Sequence, residues 1–209
     1  MQDRTKLTGR GGRPRKFDEA EALANMQRQL WMNGLSGVSL DGIARSAGLN
    51  RPSLAAAFGG KDEIYAQAAA QYEAMMDARL GVAIATADLG AALKAAFEVA
   101  IDIYTTDGPN GCFVICTAPA EALTNPVCRT ILDQSLETID ALFLRRLKVE
   151  QGRMTASPAD LPLLAAQLGA TLHSLALRAR AGWSPDRLRS LAAATTHQVC
   201  TALGNTTAA

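Results

Sequence analysis

Aromatic residues make up only 5% of this chain, and histidine occurs twice, at His173 and His197. A nucleophile paired with a histidine therefore has little to draw on. The chain also lacks a Gly-rich phosphate loop and a metal triad, so no catalytic role is expected. The four cysteines, at 112, 116, 128 and 200, are irregularly placed and do not read as a disulfide framework. A reducing cytoplasm is the simplest setting for them. No run of 18 apolar residues exists, which excludes a membrane helix. The N-terminus is basic without an apolar stretch, unlike a secretory signal. Repeats are absent, and no segment alternates as a half-buried strand would.

What is abundant is alanine, within a hydrophobic content of 48%. That composition suits a mostly helical protein with close helix contacts. The formal net charge of +1 is informative only in its distribution. Residues 1–16 hold Arg4, Lys6, Arg10, Arg13, Arg15 and Lys16 against Asp3 alone. A flexible arm of net +5 thus precedes a body of net −4, which points to a polyanion reached by the tail.

Helical periodicity begins near Asp18, with Ala22, Leu23, Met26 and Leu30 as its apolar stripe. Gly34 and Gly37 end that helix. Ser39 can cap a second, from about Leu40 to Ala47, burying Leu40, Ile43, Ala44 and Ala47. Gly48 supplies a turn. Asn50 can cap a third helix, whose first turn accommodates Pro52. Leu54 and Phe58, four apart, share its inward face. Further helices are expected over about 62–80, 89–104, 112–123 (interrupted by Pro119), 126–149, 159–181 and 185–203. Residues 108–111 and 152–158 read as loops. The fold class is all-α.

Three short helices with a tight glycine turn between the second and third make a helix-turn-helix, whose second member normally enters the major groove. The stretch SLDGIARSAGLNRPSLAAAFGGKDEIYAQ resembles the N-terminal domain of the TetR family of bacterial one-component transcriptional regulators. Ser39, Ile43, Ala44, Ala47, Gly48, Leu49, Ser53, Leu54, Phe58 and Lys61 carry the resemblance, which covers about residues 17–75. The resemblance implies a homodimer on a pseudo-palindromic operator, joined through the last two helices. It implies repression that a small-molecule effector releases. Three regions are then expected: an arm (1–16), a DNA reader (17–60), and an effector and dimer domain (61–209).

By the same resemblance, Ser39 and Lys61 would contact phosphate, and Asn50, Arg51, Pro52, Ser53 and Ala56 would face the groove. Family members often carry an aromatic where this chain has Ala55, and aromatic or His side chains where it has Ala56 and Ala57. Contacts from those side chains are unavailable here. The arm offers compensation, because GGRPRK (residues 11–16) resembles an AT-hook core. Pro14 biases Arg13 toward an extended shape, and a narrow minor groove attracts arginine. Arg10, Arg13, Arg15 and Lys16 are therefore expected to hold DNA, the alternative being a solubilising tail.

For the effector, Tyr72, Met75, Met76, Phe97, Tyr104, Cys112, Phe113, Cys116, Thr117, Phe143 and His173 are candidate contacts, with Glu121 as a further polar anchor. Their character predicts a largely apolar ligand with few polar anchors. Most of the aromatic and Met members are expected to be ordinary core, with about a third touching ligand. Cys112 and Cys116, four apart, could instead sense oxidants or a soft metal, or be small buried apolar residues. No cofactor or resident metal is implied. A helical binding protein that has lost DNA reading remains the other reading of the alanine-rich third helix.

Overall fold

The asymmetric capping residues set the architecture. A computed structural model describes residues 17–86, 88–106, 108–150 and 160–204. The basic arm and the loop expected at 152–158 lie outside the described residues. Among those described there are nine helices and no strand. They are α1 (Glu19–Asn33), α2 (Leu40–Ser46), α3 (Arg51–Phe58), α4 (Lys61–Ile84), α5 (Leu89–Thr106), α6 (Phe113–Glu121), α7 (Pro126–Val149), α8 (Leu161–Arg180) and α9 (Pro185–Ala202). No helix of the described residues is long and apolar enough to cross a membrane.

Start signals act as expected. The Asp18 carboxylate accepts from the amides of Ala20 and Glu21, and Asn125 accepts from those of Val127 and Cys128. Both satisfy first-turn N–H groups that have no partner within the helix. The helix bounds depart most from the periodicity at α4 and α6. Helix α4 runs four residues beyond Leu80, because Leu80 and Ile84 are both buried and continue its stripe. Cys112 is the N-cap of α6 rather than its first residue, and the helix ends two residues after Pro119. In α2 only Ile43 and Ala44 are fully buried, while Leu40 and Ala47 pack half-buried against the core.

Helices α1 to α3 form one end of the molecule. Helix α1 packs on α4, which also lies against α5 and α7. Helix α8 lies between α7, α9 and α5. Three polar ties fasten the first helices to the rest. Gln27 donates to the Ala68 carbonyl at 2.7 Å. The Glu121 carboxylate accepts from the Ser36 amide at 3.0 Å and its hydroxyl at 2.7 Å. Arg180, in the last turn of α8, donates to the Trp31 carbonyl at 2.8 Å. That carbonyl belongs to the last turn of α1, where no intrahelical partner exists.

Candidate nucleic-acid interface and enclosed pocket

The α2–turn–α3 unit is built by two side-chain caps and one glycine. Ser39 Oγ accepts from the Gly42 amide at 3.1 Å, and Asn50 Oδ1 accepts from the Ser53 amide at 2.9 Å. Gly48, at φ +66, turns the chain where a Cβ would be strained. Leu54 and Phe58 anchor α3 inward. The opposite side presents Asn50, Arg51, Pro52, Ala55 and Ala56, all exposed, with Ser53 half-buried. Ser39 is exposed beside them, and Lys61 is half-buried at the start of α4. Ala57 belongs with the core side instead, packed against it half-buried. Arg51 is 3.8 Å from Asp41, with both side chains more than 60% exposed. A pair this open is worth little and leaves the guanidinium available to a phosphate or base.

Both capping groups keep a donor. An oxygen that accepts a backbone N–H leaves the Ser39 O–H and the Asn50 amide NH2 able to donate outward. The surface around them is weakly held by charge. Residues 17–80 carry Arg28, Arg45, Arg51, Lys61 and Arg79 against eight acids.

The second site lies among α4, α5, α7 and α8, with the loop and first turn of α6. Tyr72, Met76 and Leu80 of α4 face Tyr104, Cys112, Ile115, Leu142 and Leu172 across it. Glu73, Asp77, Ser135, Thr138, Ile139 and His173 complete the wall. Free space is about 30 Å³, room for a water or two, so a larger occupant must displace side chains. Its polar atoms are oddly unpaired. The Tyr72 and Tyr104 hydroxyls, Glu73 Oε1 and His173 Nε2 are buried with no hydrogen-bond partner. Each such atom costs about 1–3 kcal/mol if left dry.

Burial explains the titration of these groups. It pushes both phenols well above their usual range and raises the Glu73 carboxyl, opposed by the Ser135 hydroxyl. It lowers His173 from 6.5 to about 4, so the imidazole is neutral at pH 7. Burial also raises the Cys112 thiol to about 11 and the Cys116 thiol to a lesser degree, there opposed by Arg180. Thiols in that state are poor nucleophiles. Among the described residues no group of three His, Cys, Asp or Glu could hold a metal ion.

The expected effector contacts thus divide. Tyr72, Met76, Tyr104, Cys112 and His173 meet at the pocket. Phe113 stands just behind it, its ring 6.0 Å from Tyr72 and 5.9 Å from Trp31. Thr117 is already committed: its hydroxyl donates to the Phe113 carbonyl at 2.7 Å and receives the Tyr65 phenol at 2.8 Å. Phe97 and Phe143 pack on each other at 5.9 Å, away from the pocket, and Met75 is half-buried beside the core. Cys116 backs onto the Gly111 backbone, and Glu121 holds Ser36. The charged contributors Glu73 and Asp77 were missed, since acids on a helix read as its solvated face. Their spacing from Tyr72 and Met76 on α4 was the available signal. Arg10, Arg13, Arg15 and Lys16 lie outside the described residues.

Residues 27–68, spanning the α2–α3 unit, match the family model for bacterial regulatory proteins of the tetR family. That segment is a TetR-type helix-turn-helix domain. It is 27% identical over 199 residues to the HTH-type transcriptional repressor ComR of Escherichia coli (strain K12), covering 88% of this chain and 90% of that one. It is 25% identical to a cysteine-substituted TetR family regulator, CifR, whose structure contains 26-base-pair double-stranded operator DNA. That match has a TM-score of 0.79 and covers 89% of this chain and 98% of CifR. A transcriptional regulator from Rhodococcus sp. Rha1 shares the fold, with a TM-score of 0.75 at 22% identity over 90% of this chain and 98% of its own. A TetR-type reader domain together with these relatives makes the chain a DNA-binding transcriptional regulator.

Proposed function

We infer that the chain is a homodimeric repressor, released from a pseudo-palindromic operator by a small molecule that opens the α4–α8 pocket. The observation that carries the DNA half is the exposed Ser39, Asn50, Arg51 and Ser53 group around a capped helix-turn-helix. A TetR-family relative with 25% identity binds operator DNA with this fold. Helix N-termini that present amides and short hydroxyls suit phosphate, and Arg51 suits a guanine edge or phosphate. The arm would add minor-groove contacts.

A second copy would cover the outer face of α8 and α9. Leu163, Gln167, Ala170, Ser174 and Leu177 alternate by four and three along α8, the spacing of a helix-packing seam. Leu163 and Leu177 are 73% and 52% exposed in the single chain. The small residues between them allow close approach of a partner helix. Two readers would then span half-sites one helical turn apart, about 34 Å. Such a regulator acts where the chromosome is, in the cytoplasm.

Effector release follows from the pocket's position. Tyr72 stacks edge-on against Trp31 at 5.2 Å, and Trp31 closes the last turn of α1. A ligand that moves Tyr72 would move α1 and, with it, the spacing of the two readers. The ligand must prefer that arrangement to drive it. Light scattering of the purified protein with and without its upstream DNA tests the reading. A dimer that shifts a specific upstream duplex is expected. A monomer that ignores all upstream duplexes would overturn it in favour of a ligand-binding protein without DNA reading.

A further inference from the structure

The pocket's own chemistry narrows its occupant. Three features set it apart from an ordinary apolar cavity. First, the charged side chains on its wall are of one sign: Glu73 and Asp77 line it, and no Lys or Arg does among the described residues. The one basic group, His173, is neutral at pH 7 and offers an unpartnered Nε2. Second, Tyr72 and Tyr104 are 3% and 0% exposed, yet both hydroxyls lack partners. Third, Glu73 has one carboxylate oxygen unpartnered in the same place. The free Glu73 oxygen and His173 nitrogen, two aromatic faces and carboxylates with no cation on the wall together ask for one kind of guest.

We propose that the effector is a small lipophilic cation, a protonated or quaternary amine whose apolar body lies against Met76, Leu142 and Ile115. The ammonium sits beside Glu73, within reach of the Tyr72 and Tyr104 ring faces. Cation attraction to an aromatic face strengthens when the site is dry. Asp77, at the exposed mouth between α4 and α7, draws the cation in. A protonated amine also gives hydrogen-bond donors to the Glu73 oxygen and to the imidazole. An anionic guest meets two carboxylates and no cation. A neutral guest leaves the Glu73 charge unmatched. The apolar wall selects against small hydrated ions.

This inference rests on the pocket being the effector site of the proposed repressor. The test uses three probes with one apolar body: 4-phenylbutylamine, 4-phenylbutanol and 4-phenylbutyrate. Calorimetry on the full-length protein gives affinities, and anisotropy of labelled upstream DNA gives release. The amine is expected to bind at least ~10-fold tighter than the alcohol, and the carboxylate weakest. Glu73→Gln should cut amine affinity about 10-fold and leave the alcohol unchanged. Lys94→Ala, at an exposed position of α5 outside the pocket lining, should leave amine binding unchanged, and an unchanged alcohol affinity in Glu73→Gln shows that its pocket stays folded. Alcohol binding equal to or tighter than amine binding overturns the proposal. So does amine affinity indifferent to Glu73→Gln, or heat from none of the three. If the alcohol both binds and releases DNA, the repressor reading stands without a cation. If the amine binds through Glu73 and DNA is never held, the cation site stands and the repressor reading falls.

Discussion

Replacing Arg180 by Met removes the guanidinium that ties α8 to the end of α1 and keeps most of the side chain's apolar stem. Arg180 donates to the carbonyls of Trp31 at 2.8 Å, Met32 at 3.4 Å and Asn110 at 3.4 Å. Only the first is short. A hydrogen bond from a charged donor contributes about 1.5–3 kcal/mol, and exposure of this side chain favours the low end. The two long contacts add little. A cation at a helix C-terminus contributes roughly 0.3–1 kcal/mol more. The loss should therefore be about 2 kcal/mol, or roughly 4–8 °C in Tm for a chain of this size. The functional effect should exceed the stability effect, because the bond joins the pocket's helix to the DNA-reading end. DNA affinity without effector should fall, and effector should change it less. Urea unfolding followed by tryptophan emission measures the first quantity, and operator anisotropy the second. Arg145→Met, at an exposed position of α7, serves as control. If Arg180→Met matches that control in both assays, the α8–α1 bond is not a structural link and the reasoning fails.

Other substitutions probe other parts. Gly111 has φ +92, and a Cβ there would lie 2.7 Å from both the Ala176 carbonyl oxygen and Cys116 Sγ. Gly111→Ala should destabilise by about 2–4 kcal/mol from strain and displaced backbone, read as a lower urea midpoint. Asn50→Ala should cost about 1 kcal/mol through the lost α3 cap, whereas Asn50→Ser keeps the cap. Thermal unfolding should separate these two variants, while DNA binding should weaken in both if the amide contacts DNA. His173 titrates at about 4 folded and at 6.5 as a free group, so between those values the unfolded chain binds more protons. Its contribution is full above pH 6.5 and is lost as pH falls toward 4, at most about 3 kcal/mol. The raised Glu73 carboxyl acts in the opposite sense, losing stability as pH rises past the ordinary carboxylate range. Comparing wild type with His173→Leu at pH 7 and pH 5 isolates the imidazole. The wild type should lose more stability over that interval, and equal losses would contradict its burial as a neutral group.

The reader was legible because its signals are local. Ser39, Gly48, Asn50 and the Leu54–Phe58 pair act within a few residues, so spacing alone locates α2 and α3. Helix ends were less so: α4 continues past Leu80 because distant helices bury Ile84, which no local pattern records. The pocket was legible only in part. Tyr72, Tyr104 and His173 stand out as bulky or titratable side chains in apolar surroundings. Phe97 and Phe143 look the same in sequence, and only packing puts them together elsewhere. Glu73 reads as one more solvated helix acid until α7 sets Ser135 beside it at the pocket wall. Glu121 was expected to face a ligand, yet it holds Ser36, an interaction across 85 residues that neither neighbourhood announces.

On the proposed function, this chain would hold a specific operator through its capped helix-turn-helix, with the arm supplying much of the grip. The most direct measurement is anisotropy of labelled upstream DNA at about 50 and 200 mM salt, where each phosphate contact sharpens salt dependence. Full-length protein, a chain starting at Phe17 and Arg51→Ala would be compared on the operator and on a scrambled duplex. The full chain is expected to prefer the operator, Arg51→Ala to erode this preference, and removal of the arm to weaken binding and flatten the salt slope. Equal binding of operator and scrambled duplex by the full chain would rule out specific reading by the helix-turn-helix. An affinity and salt slope unchanged by removing the arm would confine the DNA grip to α2 and α3.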